Sequence, residues 1–361
     1  MMRTFETPSQ GGRLTTVARS LPAVWLLALA ILPGCGGPPG TTAVPGAKAP
    51  PAQVRLGYFA NVTHAQALIG VSRGDFQKAL GSVPLQTVTF NAGPSAIEAI
   101  FAGALDITYI GPSPALNAYV KSKGQAVRIV SGVAANGVAI VARKDSGIAK
   151  LEDLVGKRIA TPQLGNTQDV SARHYVLSVL KAPLKDKGGA TEIQPIANAE
   201  QLGLFKSGRI DAAWVPEPWG ARLVHEAGGV VIEEEKNLWP RKNFVVAVVL
   251  VSTKFLERYP ETVEAFLKAH VEITNWVNAD RDQAAAVVNT ELARLTHKAL
   301  KKEVLADAFA RLNFSTDPFT DSIETFAAWA YDLGFAGEKP DLKGLVDLRL
   351  LEKVQRGGKA P

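Results

Sequence analysis

Ala102-Gly103-Ala104-Leu105-Asp106 follows a helical pattern and opens a β-rich run that ends at Gly111-Pro112-Ser113-Pro114. Further along, Ser207-Gly208-Arg209-Ile210-Asp211 does the same and ends at Pro216-Glu217-Pro218-Trp219. The echo extends outward. Val54–Phe59, a helix over about Thr63–Leu80, Leu85–Phe90, a helix over about Ser95–Ala102 and Asp106–Ile110 make a first series. Lys157–Ala160, Asn166–Leu180, Thr191–Pro195, Ala199–Ser207 and Asp211–Val215 repeat its order. Strands alternating with helices predict βαβ units around a largely parallel sheet. Two such series predict an α/β protein of two similar βα lobes, residues 53–140 plus 247–361 and residues 141–246. The long β-rich runs at 137–143 and 244–251 are expected to be two crossing strands that join them.

Composition agrees with a packed globular chain. Hydrophobic residues make up 47% and charged residues 20%, too apolar for a disordered chain. A net charge of +6 spread over 361 residues is no nucleic-acid footprint. A single cysteine excludes a disulfide framework and a cysteine-built zinc site.

Arg3, Arg13 and Arg19 precede the apolar run Leu21–Leu32, which is shorter than the ~20 residues a spanning helix needs. A basic segment followed by a short apolar core reads as an export signal over residues 1–34. The sole cysteine stands directly after it, and Leu32-Pro33-Gly34-Cys35 resembles a bacterial lipobox. That resemblance implies lipidation at Cys35 and a protein working outside the cytoplasm, tied to a membrane surface. Residues 35–52, rich in Gly, Pro, Ala and Thr, read as a tether.

In open α/β sheets ligands bind beyond the carboxyl ends of the strands. Two facing lobes would therefore line a cleft with Tyr58–Thr63, Gly111–Asn117, Thr161–Thr167 and Trp214–Trp219. Asn166 and Thr167 are N-cap candidates, either simply capping a helix or leaving its free N–H groups to an anion. Ser95 opens a helix in a similar way, and Ser113 is a candidate donor. Trp214 reads as core packing or as a face against a ligand. Glu217, held between two prolines, either caps backbone N–H groups or faces the ligand.

Catalytic sets are missing. Gly203–Ile210 has the glycine spacing of a P-loop without its Lys and Ser/Thr. The five histidines lack metal spacing, and Gly111-Pro-Ser-Pro-Ala115 lacks the second glycine of a nucleophile elbow. No metal, cofactor or catalytic residue is expected.

Thr161-Pro-Gln-Leu-Gly-Asn-Thr-Gln-Asp169, Phe205-Lys-Ser-Gly-Arg-Ile-Asp-Ala-Ala-Trp214 and Glu217-Pro-Trp-Gly-Ala-Arg222 resemble the periplasmic substrate-binding proteins of ABC importers. The likeness covers roughly residues 53–330 and is nearest to the nitrate/sulfonate/taurine group, which includes thiamine-pyrimidine-binding-like proteins. It implies the two-lobed type II periplasmic binding protein fold, hinge closure on one ligand, and delivery to a permease driven by a separate ATPase. It places ligand contacts on Tyr58, Ser95, Gly111, Pro112, Ser113, Asn166, Thr167, Trp214 and Glu217. The expected ligand is a small organic anion, an aliphatic sulfonate or taurine-like compound, bound by a monomer with no nucleic-acid partner. The alternative is a thiamine-pyrimidine-type binder or a synthase-like enzyme on the same fold.

Overall fold

A computed structural model describes residues 49–336 and 339–357. The expected export signal, Cys35 and most of the expected tether lie outside the described residues.

The first series runs β1 (Val54–Phe59), α1 (Ala65–Ser72), α2 (Asp75–Leu80), β2 (Leu85–Phe90), α3 (Gly93–Phe101), β3 (Ile107–Ile110), α4 (Pro112–Lys121) and β4 (Val127–Asn136). The second runs β5 (Val138–Ala142), β6 (Arg158–Thr161), α5 (Thr167–His174), β7 (Glu192–Pro195), α6 (Asn198–Lys206), β8 (Ala212–Pro216), α7 (Trp219–Ala227) and β9 (Val230–Glu234). The chain closes with β10 (Val245–Ser252), α8 (Thr253–Arg258), α9 (Pro260–Ala279), α10 (Arg281–Thr296), α11 (Lys302–Arg311), β11 (Leu312–Phe314), α12 (Thr320–Asp332) and α13 (Arg349–Gln355). The single helix expected over Thr63–Leu80 is interrupted at Gly74, whose φ of +73° ends one helix and starts the next.

Two sheets result. The first has the order β2-β1-β3-β10-β4-β11 and the second β7-β6-β8-β5-β9. In each, three parallel strands are followed by one antiparallel strand laid against the third: β10 on β3, and β5 on β8. The repeated sequence is therefore a repeated topology, and its aspartates explain why. Asp106 Oδ2 accepts from the backbone N–H of Arg55 at 2.8 Å and from its Nε at 2.9 Å, while Gly103 O accepts from the same guanidinium. Asp211 Oδ2 accepts from Arg158 N and Nε at 2.9 Å each, with Gly208 O on Nη2 at 2.7 Å. Each lobe thus pins the start of the first of its three parallel strands (β1, β6) to the start of the last (β3, β8) with a forked, charge-assisted clamp.

The expected crossing runs resolve differently. The chain leaves the first sheet at Asn136 and Gly137, both at positive φ (64° and 67°), and begins β5 in the second. A Cβ on Gly137 would lie 2.2 Å from Leu312 Cδ2, so glycine is required there for space as well as φ. The return is carried by residues 235–244, and the 244–251 run is not a crossing element but the interior strand β10. Its composition dictates this: Val245–Val251 is buried throughout, and an all-apolar strand needs partners on both edges and cover on both faces. Under the first sheet, burial drives His270 down to about 4 and keeps it neutral, so its two ring nitrogens serve Gly132 O (2.9 Å) and the Tyr109 hydroxyl (2.8 Å).

Candidate functional site

The carboxyl ends of the parallel strands in the two sheets meet across a narrow cleft. Phe59 enters it from the end of β1, Asn61, Thr63 and His64 from the turn that follows, Asn91 from the turn after β2 and Gly111 from the turn after β3. Opposite them stand Asn166, Thr167 and Gln168 at the start of α5, Asn198 at the start of α6, and Pro216 at the end of β8. Val246 of β10 completes the lining. The cavity volume is about 20 Å³, room for about one water, so the two walls are closed on each other.

Three helix starts converge here. A Cβ on Gly111 would lie 2.4 Å from Thr167 Oγ1, and one on Gly93 would lie 2.2 Å from Pro114 Cγ and 3.2 Å from Asn166 Oδ1. Both glycines are thus conditions for the first turns of α3, α4 and α5 to touch. None of these helices, nor α6, carries a side-chain hydrogen bond at its N-cap, so their leading N–H groups are free of that competition. The hydroxyls of Thr167 and Ser113 are buried and lack any hydrogen-bond partner. An orphaned buried hydroxyl costs stability unless something else satisfies it.

Among the described residues that line the cleft, none bears a formal charge. His64 is the one titratable group, and burial drives it down to about 3, so it is neutral. Its Nδ1 accepts from Phe59 N at 3.1 Å, which leaves its proton on Nε2 as a further donor. Asp169, in the first turn of α5, is fully buried but has its own partners: Arg173 Nε at 3.0 Å, Gly165 N at 3.0 Å and Thr161 Oγ1 at 2.8 Å. The cleft therefore offers amides, hydroxyls, one imidazole N–H and helix-start N–H groups, with Phe59, Pro216 and Val246 as apolar cover. Such a set suits an anion whose charge is spread over several oxygens. No group of three or more His, Cys, Asp or Glu among the described residues could hold a metal.

Of the residues singled out from the sequence, Gly111, Asn166 and Thr167 come together in this lining, and Pro112 and Ser113 lie buried in the adjoining first turn of α4. Ser95 sits half-buried in the first turns of α3, outside the lining. Three others point elsewhere. Tyr58 is fully buried on the opposite face of β1, where burial pushes its hydroxyl up to about 12 and it donates to Glu291 Oε1 at 3.3 Å. Trp214 is 1% exposed and packs behind the second sheet, its Nε1 donating to Glu235 Oε2 at 2.6 Å. Glu217 is fully buried and serves structure: Oε2 accepts from Ala221 N at 3.0 Å in α7, and Oε1 accepts from Arg311 Nη1 at 2.8 Å. Burial raises its pKa, and the Arg311 guanidinium opposes that rise.

The asparagines at 61, 91 and 198 were not separable from ordinary turn residues in the sequence, because Asn after a strand is common turn chemistry. Their one shared signal is position: each stands within three residues of a parallel strand's carboxyl end.

Residues 47–292 match the model of the NMT1-like family. A taurine-binding periplasmic protein of Escherichia coli is 30% identical over 183 residues, 51% of this chain and 54% of its own length, so this chain spans about half of that relative. A Bacillus subtilis protein described as a putative aliphatic sulfonates-binding protein is 25% identical over 314 residues, 84% of this chain and 88% of its own. Among solved structures, the alkanesulfonate-binding protein SsuA of Xanthomonas axonopodis pv. citri, bound to MOPS, superposes with a TM-score of 0.68 at 20% identity, covering 83% of this chain and 99% of that one. The fold is thus that of the two-lobed periplasmic binding proteins, and the chain belongs to the NMT1-like family.

Proposed function

We propose that this protein is the solute-binding component of an ABC importer, that it closes its two lobes on a small aliphatic sulfonate, and that it hands the sulfonate to a membrane permease. One observation carries the reading: the uncapped first turns of α3, α4 and α5 meet beside a cleft where the Thr167 hydroxyl lacks a partner, as does the Ser113 hydroxyl in the adjoining turn. A sulfonate has three oxygens to satisfy those donors, and its alkyl group would lie against Phe59, Pro216 and Val246. Taurine fits less well than an unsubstituted sulfonate, because its ammonium needs a carboxylate and Glu217 is committed to Arg311 and α7. The sulfonate and taurine binders among the relatives support the ligand class. In this reading the protein is a binder and not an enzyme, exported and anchored through Cys35, and acts as a monomer.

Isothermal titration of the purified protein with ethanesulfonate, taurine, nitrate and a thiamine-type pyrimidine tests it. A sulfonate should bind with micromolar affinity or better, about −8 kcal/mol, and more tightly than taurine. Pyrimidine binding without sulfonate binding would replace this reading with the pyrimidine one.

A further inference from the structure

A second cavity, of about 310 Å³, opens behind the second sheet. Trp214, Trp239, Trp329, Tyr175 and His174 form its walls, and Glu235 supplies a carboxylate. The Glu235 side chain is buried, and its three partners are all neutral donors. Oε1 accepts from Ser171 Oγ at 2.7 Å and from Trp239 Nε1 at 3.1 Å, and Oε2 accepts from Trp214 Nε1 at 2.6 Å. A carboxylate has about four acceptor positions, so one on Oε2 is open. Burial without a cation raises this group to about 7.

Burial raises the Tyr175 hydroxyl, and Glu152 and Glu233 raise it further; burial lowers His174, on which Asp332 and Lys181 act with opposite signs. His174 stacks on Trp329 at 4.2 Å, and its Nδ1 has no hydrogen-bond partner. After His174 the helix continues as a π-turn over Tyr175–Val179, an irregularity that tends to mark functional sites. Each class of occupant faces a different balance here. An anion is repelled by Glu235, and a neutral apolar molecule leaves the open acceptor position desolvated and unmet. An organic cation meets both the carboxylate and the electron-rich indoles.

We propose that the cavity bounded by Trp214, Trp239, Trp329 and Glu235 is a second ligand site, which takes a small organic ammonium ion with an N–H on Glu235 and its apolar part against the indole rings. The site is separate in chemistry from the cleft, which suits an anion, and the inference stands whatever the cleft binds. The two share α5, with Thr167 in its first turn and His174 in its last, about 10 Å apart along the axis.

The test is titration of the full chain with phenethylammonium and with 2-phenylethanol, its neutral counterpart of similar shape, read by tryptophan emission and calorimetry. The ammonium should bind saturably and about tenfold more tightly than the alcohol. Glu235→Gln should bring the two to equal affinity. Trp329→Ala, at a half-buried position that leaves the carboxylate in place, should weaken the ammonium about tenfold and so keeps the test open if the glutamine variant does not fold. Equal affinity of the two probes for the unaltered protein, no saturation by about 10 mM, or an unchanged ammonium affinity in Trp329→Ala would overturn the proposal.

Discussion

Trp219 Nε1 donates to Asn61 Oδ1 across 2.8 Å, and the two residues belong to opposite walls. Asn61 follows β1 of the first sheet, and Trp219 opens α7 after β8 of the second. Asn61 also lines the cleft, so the bond between the walls uses a residue that faces the cavity. In the proposed function, closure and binding would therefore be coupled through one side chain.

Asn61→Ala removes the latch and one cleft donor together. Sulfonate affinity should fall by about 1–3 kcal/mol, chiefly through faster release. Stopped-flow dissociation and calorimetry would show this. A slower association rate with unchanged release would mean that the latch plays no part in holding the closed form.

Thr167→Val swaps an orphaned hydroxyl for a methyl group of the same shape. Because Thr167 Oγ1 has no protein partner, thermal stability should hold or rise, while sulfonate affinity drops about tenfold or more. The combination is diagnostic, since a hydroxyl with a hidden structural role would lose stability first.

The Glu217–Arg311 pair ties the turn after β8 to the end of α11, and Glu217 has no exposed surface. Arg311→Leu leaves that carboxylate without its cation and should destabilise the fold by about 3–5 kcal/mol. Replacing both residues by leucine should recover most of the loss. Urea midpoints for the two variants decide this, and an additive loss in the double variant would show that the residues contribute independently.

Glu235 sets a pH dependence of known sign. Its folded pKa, about 7, lies above the ordinary value of 4.5, so between these the folded state holds the extra proton. Its stabilising contribution is complete below about 4.5 and is lost as pH rises through about 7, at most about 3 kcal/mol. His64 and His270, lowered to about 3 and about 4, act oppositely: their contribution is present above about 6.5 and is lost as pH falls. Comparing unaltered protein with Glu235→Gln at pH 5 and pH 8 isolates the carboxylate. The variant should lose less stability over that interval, and parallel losses would place the Glu235 pKa near its ordinary value.

The duplicated fold was legible because Asp106 and Asp211 do the same work on Arg55 and Arg158, so one clamp built twice spells the same letters twice. The crossing was harder to place. β4 and β5 form one apolar stretch, and only Asn136-Gly137 marks where it changes sheets. In the cleft lining, Gly111, Asn166 and Thr167 stand where strand-end logic expects them, whereas the period of the pleat turns Trp214 and Tyr58 away from it. Ala213 and Val215 pack in one cluster while Ala212 and Trp214 pack in another, so a residue in a strand can face away from the cleft although it lies beside it in sequence. In β1 the same alternation presents Phe59, not Tyr58, to the cleft. Glu235 had no signal at all, because a run of glutamates before a lysine reads as solvated surface.

In the proposed function, neutral donors at converging helix starts hold an anion. Calorimetric titration of ethanesulfonate against ethyl methyl sulfone, at low and high salt, separates charge from shape. Sulfonate affinity should be at least about a hundredfold above that for the sulfone and nearly unchanged by salt, because among the described residues no side-chain cation lines the cleft. Equal affinity for the two compounds, or sulfonate binding that fades steeply with salt, would contradict it.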